Sequence, residues 1–298
     1  MLITFSACQR SGPAEVHTDA VLQAALEELI DAFPADAGVY VRHLGTGQSA
    51  SIRADEIFPT ASMIKVPIML ALFEKIAAGE LDYNGQLEYH DSLFYAGSDI
   101  LGSFKSGEKI TLSKLVMLME SFSNNTASLW CQSLAGAGTA INQWLDAHGY
   151  TRTRMNSRTP GRHGDWETYG WGQTSPREMA ELVAMIHEGR AVNPAASEEM
   201  YRVLCRPYWD AEALSQVPPW VQAASKTGAV DKSRSEVVLV NGPSGDYVFC
   251  VITKNQTDTS WGADNVGFVL QRDVSRLLWQ YFEPDHPWEP TPGMEDWS

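Results

Sequence analysis

The chain has 298 residues, 22 basic and 37 acidic, for a formal charge of −15, with 44% hydrophobic and 20% charged residues. That is enough apolar material for a real core, which argues against a disordered or fibrous protein, and so acidic a surface repels phosphate backbones and anionic lipid heads, which argues against nucleic acid as a partner. No apolar run approaches the length of a transmembrane span.

The chain opens Met1-Leu2-Ile3-Thr4-Phe5-Ser6-Ala7-Cys8, small residues before a cysteine as at the end of a bacterial lipoprotein leader, but without a basic n-region. Residues 1–17 therefore read as the remnant of an export signal, making the protein periplasmic or secreted with Cys8 as a lipid anchor, or as an ordinary frayed terminus. Over 21–33, Val21, Leu22, Ala25, Leu26, Leu29, Ile30 and Phe33 recur at helical spacing, and Pro34 stops the helix. Two short strands, 38–44 and Gln48–Ile52, follow around the turn Gly45-Thr46-Gly47.

Helical periods dominate from 62 to 204. One helix covers 62–78, with Val66, Met69, Phe73 and Ile76 on one face, and an apolar helical region over 112–134 breaks near Ser123-Asn124-Asn125. A helix over 175–188 has Ser175 as N-cap, Pro176 at its first position and Glu178 three residues after the cap. After Pro218-Pro219, strands are expected at 223–228, 236–240 and 247–253, the last two joined by Gly242-Pro243-Ser244-Gly245-Asp246. Val266–Phe282 closes as an amphipathic helix, and 283–298 reads as an irregular tail.

This order predicts an α+β fold. A five-stranded antiparallel sheet is built from both chain ends (18–60 and 206–282) and covered by the terminal helices, with a helical domain, 61–205, inserted between its second and third strands. Cys131, Cys205 and Cys250 form no C-x-x-C pair, and the seven histidines are scattered, so neither a zinc hydrolase nor any other cofactor is indicated.

Three short motifs carry chemistry. In Ser62-Met63-Ile64-Lys65 the hydroxyl and amine lie one helical turn apart on one face. A serine is a poor nucleophile until a base takes its proton, and a lysine serves once burial or a nearby cation lowers its pKa. A second such pair, Ser106-Gly107-Glu108-Lys109, sits in a polar stretch, so the spacing alone carries little. Ser123-Asn124-Asn125 is either a polar turn with an N-cap or a proton-relaying hydroxyl beside a substrate-holding amide. Lys226-Thr227-Gly228-Ala229 is either an edge strand guarded by its lysine or a carboxylate clamp whose glycine admits a ligand to the backbone.

Together and in this order, S-x-x-K, S-x-N and K-T-G resemble the signature of class A β-lactamases and penicillin-binding proteins. Phe58-Pro59-Thr60-Ala61-Ser62, Lys65-Val66-Pro67, Ser123-Asn124-Asn125-Thr126-Ala127 and Thr174-Ser175-Pro176-Arg177-Glu178-Met179-Ala180 are similar to class A wording, with Asn124 where the family has Asp. The resemblance implies that Ser62 attacks an acyl carbonyl, Lys65 takes its proton and Ser123 passes a proton to the leaving nitrogen. It further implies that Asn125 holds the substrate amide, Lys226 and Thr227 the substrate carboxylate, and the N–H groups of Ser62 and Ala229 the oxyanion. Arg234 would add charge for the carboxylate, or be a solvated strand charge. Tyr95 would wall the site, or be an ordinary core or surface tyrosine. The partner is then a small molecule, a β-lactam or a D-Ala-D-Ala-type peptide, met by a monomer.

One element of the family pattern is missing. Class A enzymes carry a loop glutamate two residues after an arginine, which activates the deacylating water. Here Arg154, Arg158 and Arg162 are followed at that spacing by Asn156, Pro160 and Gly164, and the loop's carboxylates are Asp165 and Glu167. Either Glu167 or Asp165 folds inward as the base, or both are solvated and hydrolysis is slow. A D-alanyl-D-alanine carboxypeptidase, an esterase on the same scaffold and a non-turnover β-lactam sensor stand as alternatives.

Overall fold

The computed structural model describes residues 14–96 and 100–294; Cys8 lies outside them. β1 (His17–Thr18) leads into α1 (Ala20–Asp31), whose first turn is capped by the Asp19 carboxylate. The hairpin β2 (Asp36–His43) and β3 (Gln48–Ile52) follows, then β4 (Phe58–Pro59). A 3-10 turn, Ala61–Ile64, runs into α2 (Lys65–Ala77). β5 (Gln86–Glu88) pairs with β6 (Lys109–Thr111), after which come α3 (Leu112–Glu120), α4 (Asn125–Leu134) and α5 (Ala137–Ala147). β7 (Arg154–Met155), α6 (His163–Tyr169) and β8 (Gly172–Thr174) precede α7 (Pro176–His187) and α8 (Pro194–Leu204). β9 (Ala223–Val230), β10 (Ser233–Gly242), β11 (Gly245–Lys254) and α9 (Val266–Phe282) complete the chain.

The main sheet runs β1-β3-β2-β11-β10-β9. Its central strands are apolar on both faces because each face has a core of its own. Tyr247, Phe249 and Val251 of β11 meet Leu22 and Leu26 of α1 and Leu270, Val274 and Leu278 of α9. Val248, Cys250 and Ile252 face the opposite way, into the core shared with the helical block. This period of two also orients β9. Lys226 lies across from Val237, which faces the helical block, so the sheet aims this lysine at the helices.

Four expectations change. The sheet has a sixth strand: β1 is short and polar, too brief to show alternation, and runs parallel to β3 with His17 N donating to Gly47 O at 2.9 Å. His17 therefore belongs to the fold rather than to a structureless start. The helix expected over 62–78 is two pieces, a 3-10 turn and α2. Pro67 falls in the first turn of α2, where an N–H has no partner four residues back. The three C-terminal strands are longer than their apolar runs, because their pairing continues through polar residues to tight turns. The stretch expected as a loop over 152–173 contains β7, α6 and β8.

Glu178 also departs from a full capping box. Ser175 Oγ accepts from Glu178 N at 3.3 Å, but the Glu178 carboxylate accepts instead from the N–H groups of Thr151, Arg152 and Thr153 at 2.6–3.0 Å, fastening the start of the β7–β8 segment. Cys131 and Cys250 are buried thiols, and Cys205 is partly exposed.

Glu236, in mid-β10, is fully buried and accepts from Ser225 Oγ at 2.6 Å and Ala213 N at 2.7 Å. Burial, and then the neighbouring Glu212, push its carboxyl up to about 8 from the ordinary 4.5. A raised carboxyl pKa leaves stability intact below the unfolded value and lowers it as pH rises through the folded one. Glu236→Gln should therefore melt about level with the parent at pH 4 and higher at pH 8, by on the order of a few kcal/mol. A gap equal at the two pH values in thermal melts would refute this.

Candidate active site

The chain reaches Ser62 along a fixed track. Phe58 and Pro59 pair with Thr174 and Gln173 of β8, and Thr60 N donates to Gly172 O at 3.0 Å. Ala61 then takes φ 44°, a left-handed conformation uncommon outside glycine, and turns the strand into the 3-10 helix. On the other side, a Cβ at Gly228 would lie 2.5 Å from Thr60 O and 3.0 Å from Ser62 N. Glycine is required there because β9 presses against the backbone of Thr60 and Ser62.

Lys65 Nζ is the hub. It lies 2.9 Å from Ser62 Oγ, 2.6 Å from Ser123 O, 2.9 Å from Ser123 Oγ and 3.2 Å from Asn125 Oδ1. Lys226 Nζ approaches the same Ser123 Oγ at 3.1 Å and Thr227 O at 3.0 Å. Both lysines are buried. Burial first, and the Lys226 ammonium second, hold Lys65 well below the usual lysine range. Burial lowers Lys226 to about 8, against the pull of Glu120, Glu236 and Glu212 in the other direction. The amine next to Ser62 is thereby suited to accept a proton at neutral pH, while the outer lysine keeps its charge.

Ser123 stands between α3 and α4 with φ 57°, a second strained non-glycine position. Asn124, not Asn125, caps α4, its Oδ1 accepting from Ala127 N at 2.8 Å, which leaves Asn125 to line the cleft. The chain after α8 locks this turn: Tyr208 N donates to Ser121 O, Trp209 Nε1 donates to Phe122 O, and the Phe122 and Tyr208 rings stack at 4.1 Å.

Two cavities meet at Ser62, Asn125 and Ala229. One, of about 630 Å³, lies toward the β7–β8 segment and is walled by Tyr95, Trp171 and Lys254. The other, of about 680 Å³, holds Ser123, Thr227 and Gly228 between Phe122, Trp209, Trp261 and Phe268, with Asp210 and Glu212 at its edge. Tyr95 meets Trp171 edge-on at 5.2 Å. The structure thus brings Ser62, Lys65, Ser123, Asn125, Lys226, Thr227, Gly228, Ala229 and Tyr95 to one cleft.

Two candidates stand apart from it. Arg234 is fully buried and donates to the carbonyls of Val230, Ser233 and Ser260, its guanidinium held between Trp261 at 4.6 Å and Phe268 at 4.8 Å. Those rings line the cavity and Arg234 lies behind them, bracing the cavity wall. Glu167, on α6, is exposed and faces His163 at 3.3 Å, while Asp165 pairs with Arg162 at 3.1 Å. Neither lines a cavity, because the turn of α6 that reaches the cleft is Thr168–Tyr169 and not the preceding one. Among the described residues, no carboxylate lines the cavity on that side.

Glu120 was not singled out from the sequence. Its carboxylate is buried with neither oxygen hydrogen-bonded, and it raises the pKa of both lysines. The signal was present: Leu112, Val116 and Glu120 form one i, i+4 row, which puts a carboxylate on the buried stripe of α3.

The sequence pattern of the beta-lactamase enzyme family matches residues 21–282. Beta-lactamase VEB-1 of Pseudomonas aeruginosa is 22% identical over 271 residues, covering 86% of this chain and 89% of its own. A structure of PBP-A superposes with a TM-score of 0.81 at 25% identity, covering 91% of this chain and 99% of that one. A beta-lactamase from Sphaerobacter thermophilus superposes with a TM-score of 0.79 at 25% identity, covering 90% and 100%. With the family pattern spanning nearly all of the folded chain, this protein belongs to the beta-lactamase enzyme family.

Proposed function

We propose that this chain is a class A-type serine acyl-hydrolase that β-lactams acylate at Ser62 and that releases them slowly. The observation that carries the reading is the pair of buried lysines converging on Ser123, with one of them 2.9 Å from Ser62 Oγ. Neutral Lys65 takes the Ser62 proton as the oxygen attacks the carbonyl carbon. The carbonyl electron pair moves onto oxygen, facing the N–H groups of Ser62 and Ala229. Ser123, hydrogen-bonded to both amines, hands its proton to the leaving nitrogen and is reprotonated by the Lys65 ammonium, which returns to the neutral amine. Asn125 holds the substrate's side-chain amide, and Lys226 with Thr227 holds its carboxylate.

Deacylation needs a base for water, and among the described residues that line the cavity beside the β7–β8 segment there is no carboxylate. That supports a long-lived acyl-enzyme. It also supports a second reading, a D-alanyl-D-alanine carboxypeptidase inhibited by β-lactams, since one PBP-A structure similar to this chain is an acyl-enzyme complex with penicillin G. Either activity concerns cell-wall or antibiotic molecules outside the cytoplasm, so the reading includes a periplasmic or secreted monomer.

Intact-mass measurement with penicillin G over time tests this. The expected result is a penicillin-sized adduct on the parent that outlasts the free drug, and none on Ser62→Ala; an adduct on Ser62→Ala would overturn the nucleophile. Rapid loss of the adduct with stoichiometric excess of hydrolysed drug would overturn the slow release. Ser123→Ala removes the hydroxyl shared by both amines and should slow acylation by roughly 10²-fold or more, as loss of one proton-transfer group does. Glu167→Gln and Asp165→Asn should change adduct lifetime by less than about twofold. A lengthening beyond tenfold in either would restore that carboxylate as the base.

A further inference from the structure

Glu120 ends α3, three residues before Ser123, and only 3% of it is exposed. Neither carboxylate oxygen has a hydrogen-bond donor. The groups acting on it come from every side: Lys65 on α2, Lys226 on β9 and the buried Cys131 thiol on α4. Glu236 and Glu212 act on Lys226 from beyond it. The acceptors of the two lysines, in turn, are all neutral oxygens: Ser62 Oγ, Ser123 O and Oγ, Asn125 Oδ1 and Thr227 O. Two buried amines without a direct carboxylate partner thus adjoin a buried carboxylate without a direct donor. Isolated, each would be strongly destabilising; here the negative charge and the positive ones act on one another across the buried space.

Resting on the serine acyl-hydrolase reading, we propose that Glu120 is a positioning residue for the acylation step, the buried counter-charge that fixes how many protons the Lys65–Lys226 pair holds and hence where on the pH scale Ser62 becomes a nucleophile. Its influence has opposite consequences at the two lysines. Negative charge on Glu120 makes Lys65 harder to deprotonate, which delays the base form to higher pH. The same charge keeps Lys226 protonated to higher pH, which extends carboxylate binding. Burial pushes the Glu120 carboxyl above the ordinary carboxylate range, while Lys226 and Lys65 pull it back, so its charge is held by theirs as theirs is by it.

The test is the pH profile of Ser62 modification, followed by intact mass, with two reagents. A fluorophosphonate forms an O–P bond to Ser62 and expels fluoride, the serine proton going to Lys65; it has no carboxylate and reports on Lys65 alone. Penicillin G reports on both lysines. Glu120→Gln should move the acid limb of the phosphonate profile down by about one pH unit, roughly tenfold faster on that limb. With penicillin the alkaline limb should also move down. Glu120→Asp, which keeps the charge, should leave the limbs in place at a lower plateau. Should Glu120→Gln fail to fold, Glu120→Met carries the same expectation.

A lowered plateau with unmoved limbs in the Gln or Met variant would make Glu120 merely structural and overturn the proposal. A parent that takes the phosphonate but no penicillin overturns the functional reading alone, since the phosphonate profile still reports on Glu120. A parent that takes neither overturns both.

Discussion

Two lysine ammonium groups cannot both stay charged in a dry pocket around a single hydroxyl. That constraint organises the site. Ser123 Oγ is within 3.1 Å of both amines, and one of them must give up its proton for the arrangement to be tolerable. Each partner comes from a different part of the fold. α2 supplies Lys65 one turn from Ser62, the strained turn after α3 supplies Ser123, and β9 supplies Lys226 from the face of the sheet that looks toward the helices. If Lys226 moved away, Lys65 would lose the smaller of the two influences that lower it, while burial would remain.

The surrounding structure works to prevent that movement. Positive φ at Ala61 and Ser123 costs of order 1–3 kcal/mol each and persists only where neighbours over-determine the backbone. Here the neighbours are identifiable. β8 pairs with the strand before Ala61, Gly228 admits β9 to contact with Ser62, and the Tyr208–Trp209 segment closes over the turn at Ser123. Arg234 belongs to the same scaffolding. Its charge is absorbed by three carbonyls and two aromatic rings, so the strand position that looked available for ligand binding holds the wall of the cleft.

Much of this was legible in the sequence because it is written in local pattern. The helical stripes of α1 and α9, the strands β2 and β3 and the three motifs in order all follow from residue type and spacing. The misreadings share a physical cause, contact between residues far apart in the chain. β1 is a strand only because β3 lies beside it. Glu178 abandons its own helix end for the backbone of Thr151–Thr153, which no capping rule foresees. Arg234 looks solvated or ligand-facing on an alternating strand until Trp261 and Phe268 arrive from beyond β11. Glu120 was visible as a lone acid in an apolar row, but its significance depends on lysines 55 residues upstream and 106 downstream in the chain.

The pairing of β8 with β4 has a consequence for how such a site can be altered. Thr60 N donates its backbone hydrogen bond to Gly172 O, so the rim segment and the approach to Ser62 form one mechanical piece. The stretch between β7 and β8 is tied into that piece: Arg162 donates to Gln173 Oε1 at 2.9 Å, and Gln132 Nε2 donates to Ser157 O at 2.7 Å. Strain introduced along the rim is therefore passed through Gln173 and Gly172 to the backbone at Thr60, two residues from Ser62.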